Sequence, residues 1–224
     1  MSHPFPEDLA NAIQRAQELV SRHPLFLDTE TTGLTGHHEI CEIAVVDLTG
    51  AMLLNTLVKP TQRIEPGASD VHGITDEMVK DAPTFRDLVT DLNSVLTGRT
   101  VLVYNAGFDQ DKLLSSARCN GFNLTGKDGF CAWWWKPDGW EGGKSFDPGW
   151  HCAMELYAIY HGGWNRYHGS YRWQRLSAAM EQCGLELPAA MHRALADAEM
   201  TRQLIVHMAE QKRGETQSEL FGGE

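Results

Sequence analysis

The chain has 224 residues, of which 42% are hydrophobic and 22% are charged, and these ordinary globular values exclude a fibrous or an intrinsically disordered protein. Thirty acidic residues against nineteen lysines and arginines give a net charge of -11, so any contact with nucleic acid must be local or metal-mediated. Nowhere do about 18 apolar residues run together, no signal-peptide pattern is present, and the five cysteines form no Cys-x-x-Cys pair. We therefore expect a cytoplasmic protein without a membrane span, a disulfide framework or a zinc site.

The first part of the chain predicts one helix followed by a group of strands. Apolar residues at helical spacing between Pro6 and Arg22 predict an amphipathic helix, and residues 1–24 are treated as an N-terminal helical leader. The short glycine-containing breaks between the next apolar runs favour an antiparallel meander. These runs are Leu25–Asp28, Glu39–Asp47 and Met52–Lys59.

An alternation of helices and a strand follows. Thr84, with Asp87 three residues later, has the spacing of a helix cap and predicts a helix that ends at Gly98. A β-branched strand then leads into a helix, which indicates an α/β arrangement. The strand is predicted over Thr100–Tyr104, and the later helices over Asp109–Asn120, His151–Tyr160, Trp173–Cys183 and Arg193–Lys212.

A segment rich in tryptophan and glycine, residues 129–172, does not fit this pattern. All seven tryptophans fall between positions 133 and 173. The rings could stack the bases of a single strand without a basic surface, or they could form a local hydrophobic cluster. We place the main domain at residues 25–210, including this segment, and expect a flexible tail at residues 211–224.

Four acids and one histidine are candidates for chemistry. Asp28 and Glu30 end the first strand on one face, and oxygen ligands suit a hard divalent cation, although a solvated strand end is an alternative. Asp109 follows an apolar strand and would point toward the same sheet edge, unless it is only a helix cap. His192 lies five residues before Asp197, a spacing that does not share a helix face, so we place His192 on the preceding loop.

Four segments together resemble the successive motifs of the DEDD exonucleases, in their histidine subclass. The resemblance spans roughly residues 25–209, in the family's order, and implies a ribonuclease-H-like α/β fold, a mixed sheet with an antiparallel meander flanked by helices. Tyr104 departs from the family, in which histidine is frequent at this place, but no catalytic role depends on it. The segments are Phe26–Leu34, Val71–Thr75, Tyr104–Asp109 and His192–Ala198.

The resemblance also implies roles for individual residues. Asp28, Glu30, Asp109 and Asp197 match the metal-binding acids of the family, and His192 matches its general base. Two Mg²⁺ ions, for which Mn²⁺ can substitute, would polarise the scissile phosphate, while an imidazole with a pKa of about 6.5 can accept a proton from the attacking water. The nucleotide pocket implied by the family is formed by Thr31, Leu34, His72, Gly73, Asn105 and Phe108.

The function implied is a two-metal 3′–5′ exonuclease that releases nucleoside 5′-monophosphates from the 3′ ends of single-stranded DNA, in proofreading, repair or end trimming. The same chemistry on RNA is an alternative, because no residue can be identified as a sensor of the 2′-hydroxyl. A second alternative, from another class, is a catalytically silent protein that binds nucleic acid or accompanies a clamp.

The C-terminal tail contains a short motif of its own. The sequence Gln217-Ser218-Glu219-Leu220-Phe221 resembles the motif by which bacterial replication and repair proteins bind the DNA sliding clamp. Leu220 and Phe221 would fill an apolar pocket of the clamp, and Gln217 would fix the register. The alternative is that the two apolar side chains fold back on the protein's own surface. Clamp binding would tether an acidic enzyme to DNA and would favour DNA over RNA.

Overall fold

A five-stranded sheet lies at the centre of the computed structural model, which describes residues 4–122, 149–189, 191–212 and 220–221. Its strands are β1 (Leu25–Thr31), β2 (Ile40–Asp47), β3 (Met52–Leu57), β4 (Val101–Val103) and β5 (Trp150–Cys152). The strand order is β3-β2-β1-β4-β5, so β1 is the central strand.

The sheet is mixed, and this follows from the lengths of its connections. β1, β2 and β3 pair antiparallel and are joined by the loops 32–39 and 48–51, which confirms the predicted meander. β4 pairs parallel with β1, and β5 pairs parallel with β4. A parallel neighbour needs a long crossover, and helices lie in the chain between β3 and β4 and between β4 and β5.

Eight helices accompany the sheet in the part of the chain that the structure describes. They are α1 (Pro6–Ser21), α2 (Pro66–His72), α3 (Asp76–Val79), α4 (Phe85–Leu96), α5 (Ala106–Cys119), α6 (Ala153–His161), α7 (Leu176–Gln182) and α8 (Ala194–Glu210). A small hairpin is formed by β6 (Trp164–Asn165) and β7 (Ser170–Tyr171). Among the described helices, none combines the length and the apolar composition that crossing a membrane requires.

The two faces of the sheet are covered by different helices, because the side chains of β1 alternate between them. Phe26 packs with apolar residues of α1, α6, α7 and α8. Leu25 and Leu27 pack on the other side, with α4 and α5. The carboxyl end of β1, which carries Asp28 and Glu30, is therefore enclosed between two helical layers.

Several boundaries differ from those that the sequence predicts. The predicted cap at Thr84 is confirmed, since its hydroxyl and the Asp87 carboxylate form a reciprocal capping box. α5 begins at Ala106, three residues before Asp109, and α7 begins at Leu176, after Trp173. The elements α2, α3, β5 and the β6–β7 hairpin were not predicted, because each is too short to show a clear apolar period.

The described part of the tryptophan-rich segment shows two kinds of environment. Trp164 packs edge to face against Phe5 and Tyr171, with both pairs of ring centroids 5.1 Å apart, and so belongs to a local hydrophobic cluster. Trp173, by contrast, is 66% exposed. Trp133, Trp134, Trp135 and Trp140 lie outside the described residues.

Two residues of the tail lie against the body of the protein. Leu220 and Phe221 are partly buried, and the ring of Phe221 lies 5.4 Å from that of Tyr160 and 5.5 Å from that of His161 on α6. This is the folded-back arrangement that the sequence left open as an alternative to clamp binding. Gln217 lies outside the described residues.

Candidate active site

Two strand residues and one helix residue form a compact group of acids. Asp28 and Glu30 are half-buried on one face of β1, while Thr29 between them is buried on the other. Asp197 enters this face from the first turns of α8, which packs against β1. Carboxylate oxygens of the three acids all lie within 4.8 Å of one another.

Asp109 lies beside this group rather than within it. It is 3% exposed and occupies the fourth position of α5, where Asn105 and not Asp109 is the capping residue. Its carboxylate accepts a hydrogen bond of 2.7 Å from the hydroxyl of Thr29, so it approaches β1 from the side opposite to Asp28. Asp109 is thus close enough to act on Asp28 by charge, but its oxygen is engaged by a neutral partner.

Burial destabilises the ionised forms of the four acids, and repulsion from other members of the group adds to this for Asp28, Glu30 and Asp109. Burial raises the pKa of Glu30 to about 8, with repulsion from Asp197 adding to the effect. Burial also raises the pKa of Asp28 well above its usual value, helped by repulsion from Asp109, whose own pKa is raised by burial to about 7. Burial raises the pKa of Asp197 as well. A nearby cation would relieve all of these shifts.

The acid group fits a divalent cation. Its donors are carboxylate oxygens, which are the preferred ligands of hard cations. In addition, the buried oxygen Oδ1 of Asp197 has no hydrogen-bond partner among the described residues. A buried acceptor in that state is costly unless something binds it.

His192 lies at the entrance to the group. It is exposed and immediately precedes the first residues of α8, on the loop where the sequence predicts it. Burial raises the pKa of Asp197 most strongly, while the electrostatic influence of His192 and a hydrogen bond from the His192 backbone act to lower it. Its φ of 58° is left-handed, a conformation that costs a residue other than glycine about 1 kcal/mol. Strained residues of this kind cluster at functional sites.

His72 has a structural role at the end of β1. The N–H of Ile74 donates to Nδ1 of His72 at 3.0 Å, so Nε2 carries the hydrogen and donates to the carbonyl of Thr31 at 3.1 Å. Burial lowers the pKa of this imidazole, which is consistent with a neutral ring. Gly73 ends α2 with a φ of 73°, which favours glycine. A role of these residues in a nucleotide pocket stays a prediction.

A cleft of about 440 Å³ opens beside His192 and Asp197. Asn105, one of the predicted nucleotide-binding residues, lines it together with the exposed Trp173. Its other lining residues include Tyr104, Gln174, Arg175 and Met191.

Two other predicted nucleotide-binding residues, Leu34 and Phe108, are not among the residues that line this cleft. Leu34 is 80% exposed on the loop after β1. Phe108 is half-buried, and Nζ of Lys112 lies 5.1 Å from the centre of its ring.

The sequence did not single out two charged residues next to the acids, Glu42 on β2 and Arg193 before α8. They form an ion pair, and Glu42 lies opposite Glu30 in the strand register. A signal was present, because Glu42 is flanked on both sides by apolar residues of a strand and a buried charge needs a partner. Nothing in the sequence indicated that the partner would be Arg193.

Comparison with known proteins connects this geometry to nucleases. The family model described as exonuclease (RNase_T) matches residues 25–123. An uncharacterised exonuclease, CP81, of Escherichia phage 186 is 38% identical over 200 residues, covering 89% of this chain and 95% of that protein. The epsilon subunit of DNA polymerase III from Haemophilus influenzae is 38% identical over 95 residues, which are 38% of this chain and 37% of the subunit.

A solved structure agrees with these sequence relatives. Exonuclease X in complex with 5′ overhanging duplex DNA superimposes with a TM-score of 0.52 at 26% sequence identity, covering 88% of this chain and 96% of that one. The match to the phage protein and the match to exonuclease X each extend over most of both chains. The similarity therefore extends over most of the chain rather than over a single motif.

Proposed function

The chain belongs to the DEDD exonuclease family, and from this membership we propose that it removes nucleoside 5′-monophosphates from the 3′ ends of single-stranded DNA. As an exonuclease it is a phosphodiester hydrolase of a divalent-metal-dependent family. The observation that carries the finer proposal is the meeting of Asp28, Glu30 and Asp197 within 4.8 Å, with Asp197 also lining a cleft together with His192.

Asp28, Glu30 and Asp197 would hold the metal, with Asp109 beside them, and we propose two Mg²⁺ ions for which Mn²⁺ can substitute. When bound, such ions stabilise the negative charge that develops on the phosphate and on the leaving 3′ oxygen. The protein contributes a preformed set of oxygens on two rigid elements, β1 and α8. The raised pKa values support this assignment, because ionised acids in this setting gain most from a cation.

His192 would act as the general base. Its ring is exposed beside the acids, so a ring nitrogen can accept a proton from a water molecule that approaches the phosphate. The hydrogen bond between its backbone and Asp197 keeps the base and the metal-binding acid together. The proton acceptor is therefore placed by the same turn that places an acid.

A single-stranded end suits the surface better than a duplex does. The net charge of -11 disfavours the many phosphate contacts that duplex binding needs, whereas stacking on Trp173 requires no basic surface. We assign the terminal nucleotide to the region between the acids and the cleft. It would lie near Thr31, Leu34, His72, Gly73, Asn105 and Phe108.

DNA is the favoured substrate, and proofreading, repair or end trimming are the proposed settings. Support comes from the exonuclease X complex with DNA and from the polymerase subunits among the relatives, although the alignments cover less than half of those subunits. We propose in addition that Gln217, Leu220 and Phe221 bind a bacterial sliding clamp, and that the enzyme acts in the cytoplasm with the replication machinery. RNA remains the alternative substrate.

The decisive experiment compares matched DNA and RNA oligonucleotides, labelled at the 5′ end, with Mg²⁺ or with EDTA. We expect the parent to give a ladder of shortened labelled DNA with Mg²⁺ and no cleavage with EDTA. Asp28→Ala and Asp197→Ala should not cleave. The control Asp91→Ala, which changes an exposed acid on α4, should cleave normally. Circular dichroism would verify that the variants fold. Preferential cleavage of RNA would establish the alternative substrate, and cleavage of neither would leave the silent binding protein.

A further inference from the structure

Glu42 is a buried acid that adjoins the metal-binding group without belonging to it. It lies on β2 directly opposite Glu30 on β1, and it is only 3% exposed. Like charges placed opposite each other on neighbouring strands destabilise a sheet, and a buried carboxylate is tolerated only with partners of its own. The partners of Glu42 therefore indicate what this residue does.

Those partners lie at the start of α8. Nε of Arg193 donates to both oxygens of Glu42, at 3.1 and 3.0 Å, and Nη2 of Arg193 also donates to Oε1. The N–H of Ala194, the first residue of α8, donates to Oε2 at 2.9 Å. Charge-assisted, forked contacts of this kind are the strong and directional ones. Both carboxylate oxygens of Glu42 thus accept hydrogen bonds from the protein itself. The other acids of the site would be the ones that bind the metal.

The segment held in this way lies between His192 and Asp197. The N–H of Asp197 donates to the carbonyl of Arg193 at 3.0 Å, so the turn that carries Asp197 is built on Arg193. On the other side, His192 is left-handed, a conformation that persists only where the surroundings impose it. No side-chain cap of Arg193 itself closes α8, and Glu42 supplies the acceptor from another strand.

We propose that Glu42 is a positioning residue, which holds the start of α8 through Arg193 and the Ala194 N–H so that His192 and Asp197 face the acids of β1. This inference rests on the proposed exonuclease function. Loss of the contact would let the turn relax, and a misplacement of about 1 Å in an active site can lower the rate by about 10²-fold.

Single-turnover cleavage of single-stranded DNA with Mg²⁺ tests the proposal. Glu42→Gln should lower the rate by about 10- to 100-fold and give it the pH dependence of His192→Ala. Arg193→Lys keeps the positive charge but loses the two-pronged guanidinium contact. It should change the rate and its pH dependence in the same direction, by a smaller factor. Because both residues act through one contact, the double variant should be within about threefold of the slower single variant.

The matched control is Glu199→Gln, which removes a similar contact farther along α8, where Nε of Arg202 donates to Glu199 at 2.7 Å. It should keep the parent rate within about twofold and the parent pH profile.

If the parent cleaves DNA and both Glu42→Gln and Arg193→Lys do so normally, the inference is wrong although the proposed function stands. The inference would also be wrong if the rate reduction in the double variant equalled the product of the two single-variant reductions. If circular dichroism shows that Glu42→Gln does not fold, Arg193→Lys alone tests the inference. A parent without any nuclease activity would overturn the proposed function and this inference with it.

Discussion

Glu30 couples the chemistry of the site to the stability of the fold. Its pKa is raised by burial from 4.5 to about 8, so between these pH values the folded protein binds a proton that the unfolded chain has lost. The free energy of unfolding therefore falls as pH rises through this window, and the loss is complete above about pH 8. The other acids of the group contribute in the same direction.

We expect Glu30→Gln to stabilise the metal-free protein at pH 8 by about 1–3 kcal/mol and to change its stability little at pH 4.5. The measurement is urea denaturation in EDTA at both pH values, compared with the parent. The exposed Glu181→Gln on α7 is the control and should show no such difference. A gain that is equal at both pH values would contradict the linkage.

His192→Ala should lower turnover by about 10²–10⁴-fold, the usual contribution of a positioned general base. Metal affinity should change much less, because the side chain of His192 is not among the carboxylates that meet within 4.8 Å. The remaining rate should rise with pH as hydroxide replaces the imidazole as proton acceptor. A pH–rate profile checks this, with the exposed His168→Ala as control, and an unchanged rate at pH 7 would remove His192 from the mechanism.

At the scale of single elements, the sequence predicts best where a local signal and the tertiary fold agree. The capping box at Thr84 is such a signal, and α4 begins where it indicates. Asp109 shows the opposite case, because a local cap and a residue inside the helix look alike in the sequence. The start of α5 at Ala106, with Asn105 as its capping residue, shows that Asp109 lies inside the helix. Its carboxylate accepts a hydrogen bond from Thr29, 80 positions earlier in the chain, which no local pattern indicates.

The acids of the candidate site could be predicted from the sequence, but the ion pair beside them could not. Asp28, Glu30 and Asp197 belong to motifs that can be read from adjacent residues, and the structure brings them together. Glu42 and Arg193 are 151 positions apart, and their pairing depends on the docking of α8 against β2. Contacts that exist only after docking leave no local pattern to read.

The loop before α7 should contribute to substrate binding through Trp173. A base stacked on an aromatic ring contributes about 1–3 kcal/mol, so Trp173→Ala should weaken binding of a single-stranded oligonucleotide by roughly 5- to 150-fold. Fluorescence anisotropy in an Asp28→Ala background would measure this without cleavage. Trp164→Ala is the matched control, since its ring packs against Phe5 and Tyr171 and its loss should lower the melting temperature but not the affinity. Equal affinities of the Trp173→Ala and unsubstituted proteins would exclude the loop from binding.

At the scale of the whole molecule, the tail has two possible places for the same side chains. Leu220 and Phe221 lie against Tyr160 and His161, so the proposed clamp would first have to displace them from α6. The apparent affinity of the full chain is then reduced by the fraction of molecules whose tail is free. Self-docking and the proposed clamp binding would therefore compete for the same two side chains.

We expect a peptide of residues 216–224 to bind a bacterial clamp with a dissociation constant on the order of 1–10 μM, and to bind it more tightly than the full chain does. Changing both Leu220 and Phe221 to Ala should abolish binding in either form. Isothermal titration calorimetry measures both. No detectable binding by the peptide would sink the clamp proposal, whatever the tail does on its own surface.

The packing of α1 against α8 sets the order in which the enzyme can mature during synthesis. The amide of Gln17 donates to the carbonyl of Ala209, 192 residues later, and the apolar face of α1 is buried among residues of α6 and α8. A nascent chain that has not yet emerged as far as α8 leaves that face uncovered, and contacts between such distant residues form slowly. The same helix delivers Asp197. A ribosome-bound fragment that ends before α8 should therefore be prone to aggregation and unable to cleave DNA. The docking of α8 would complete the hydrophobic core and the active site at the same time.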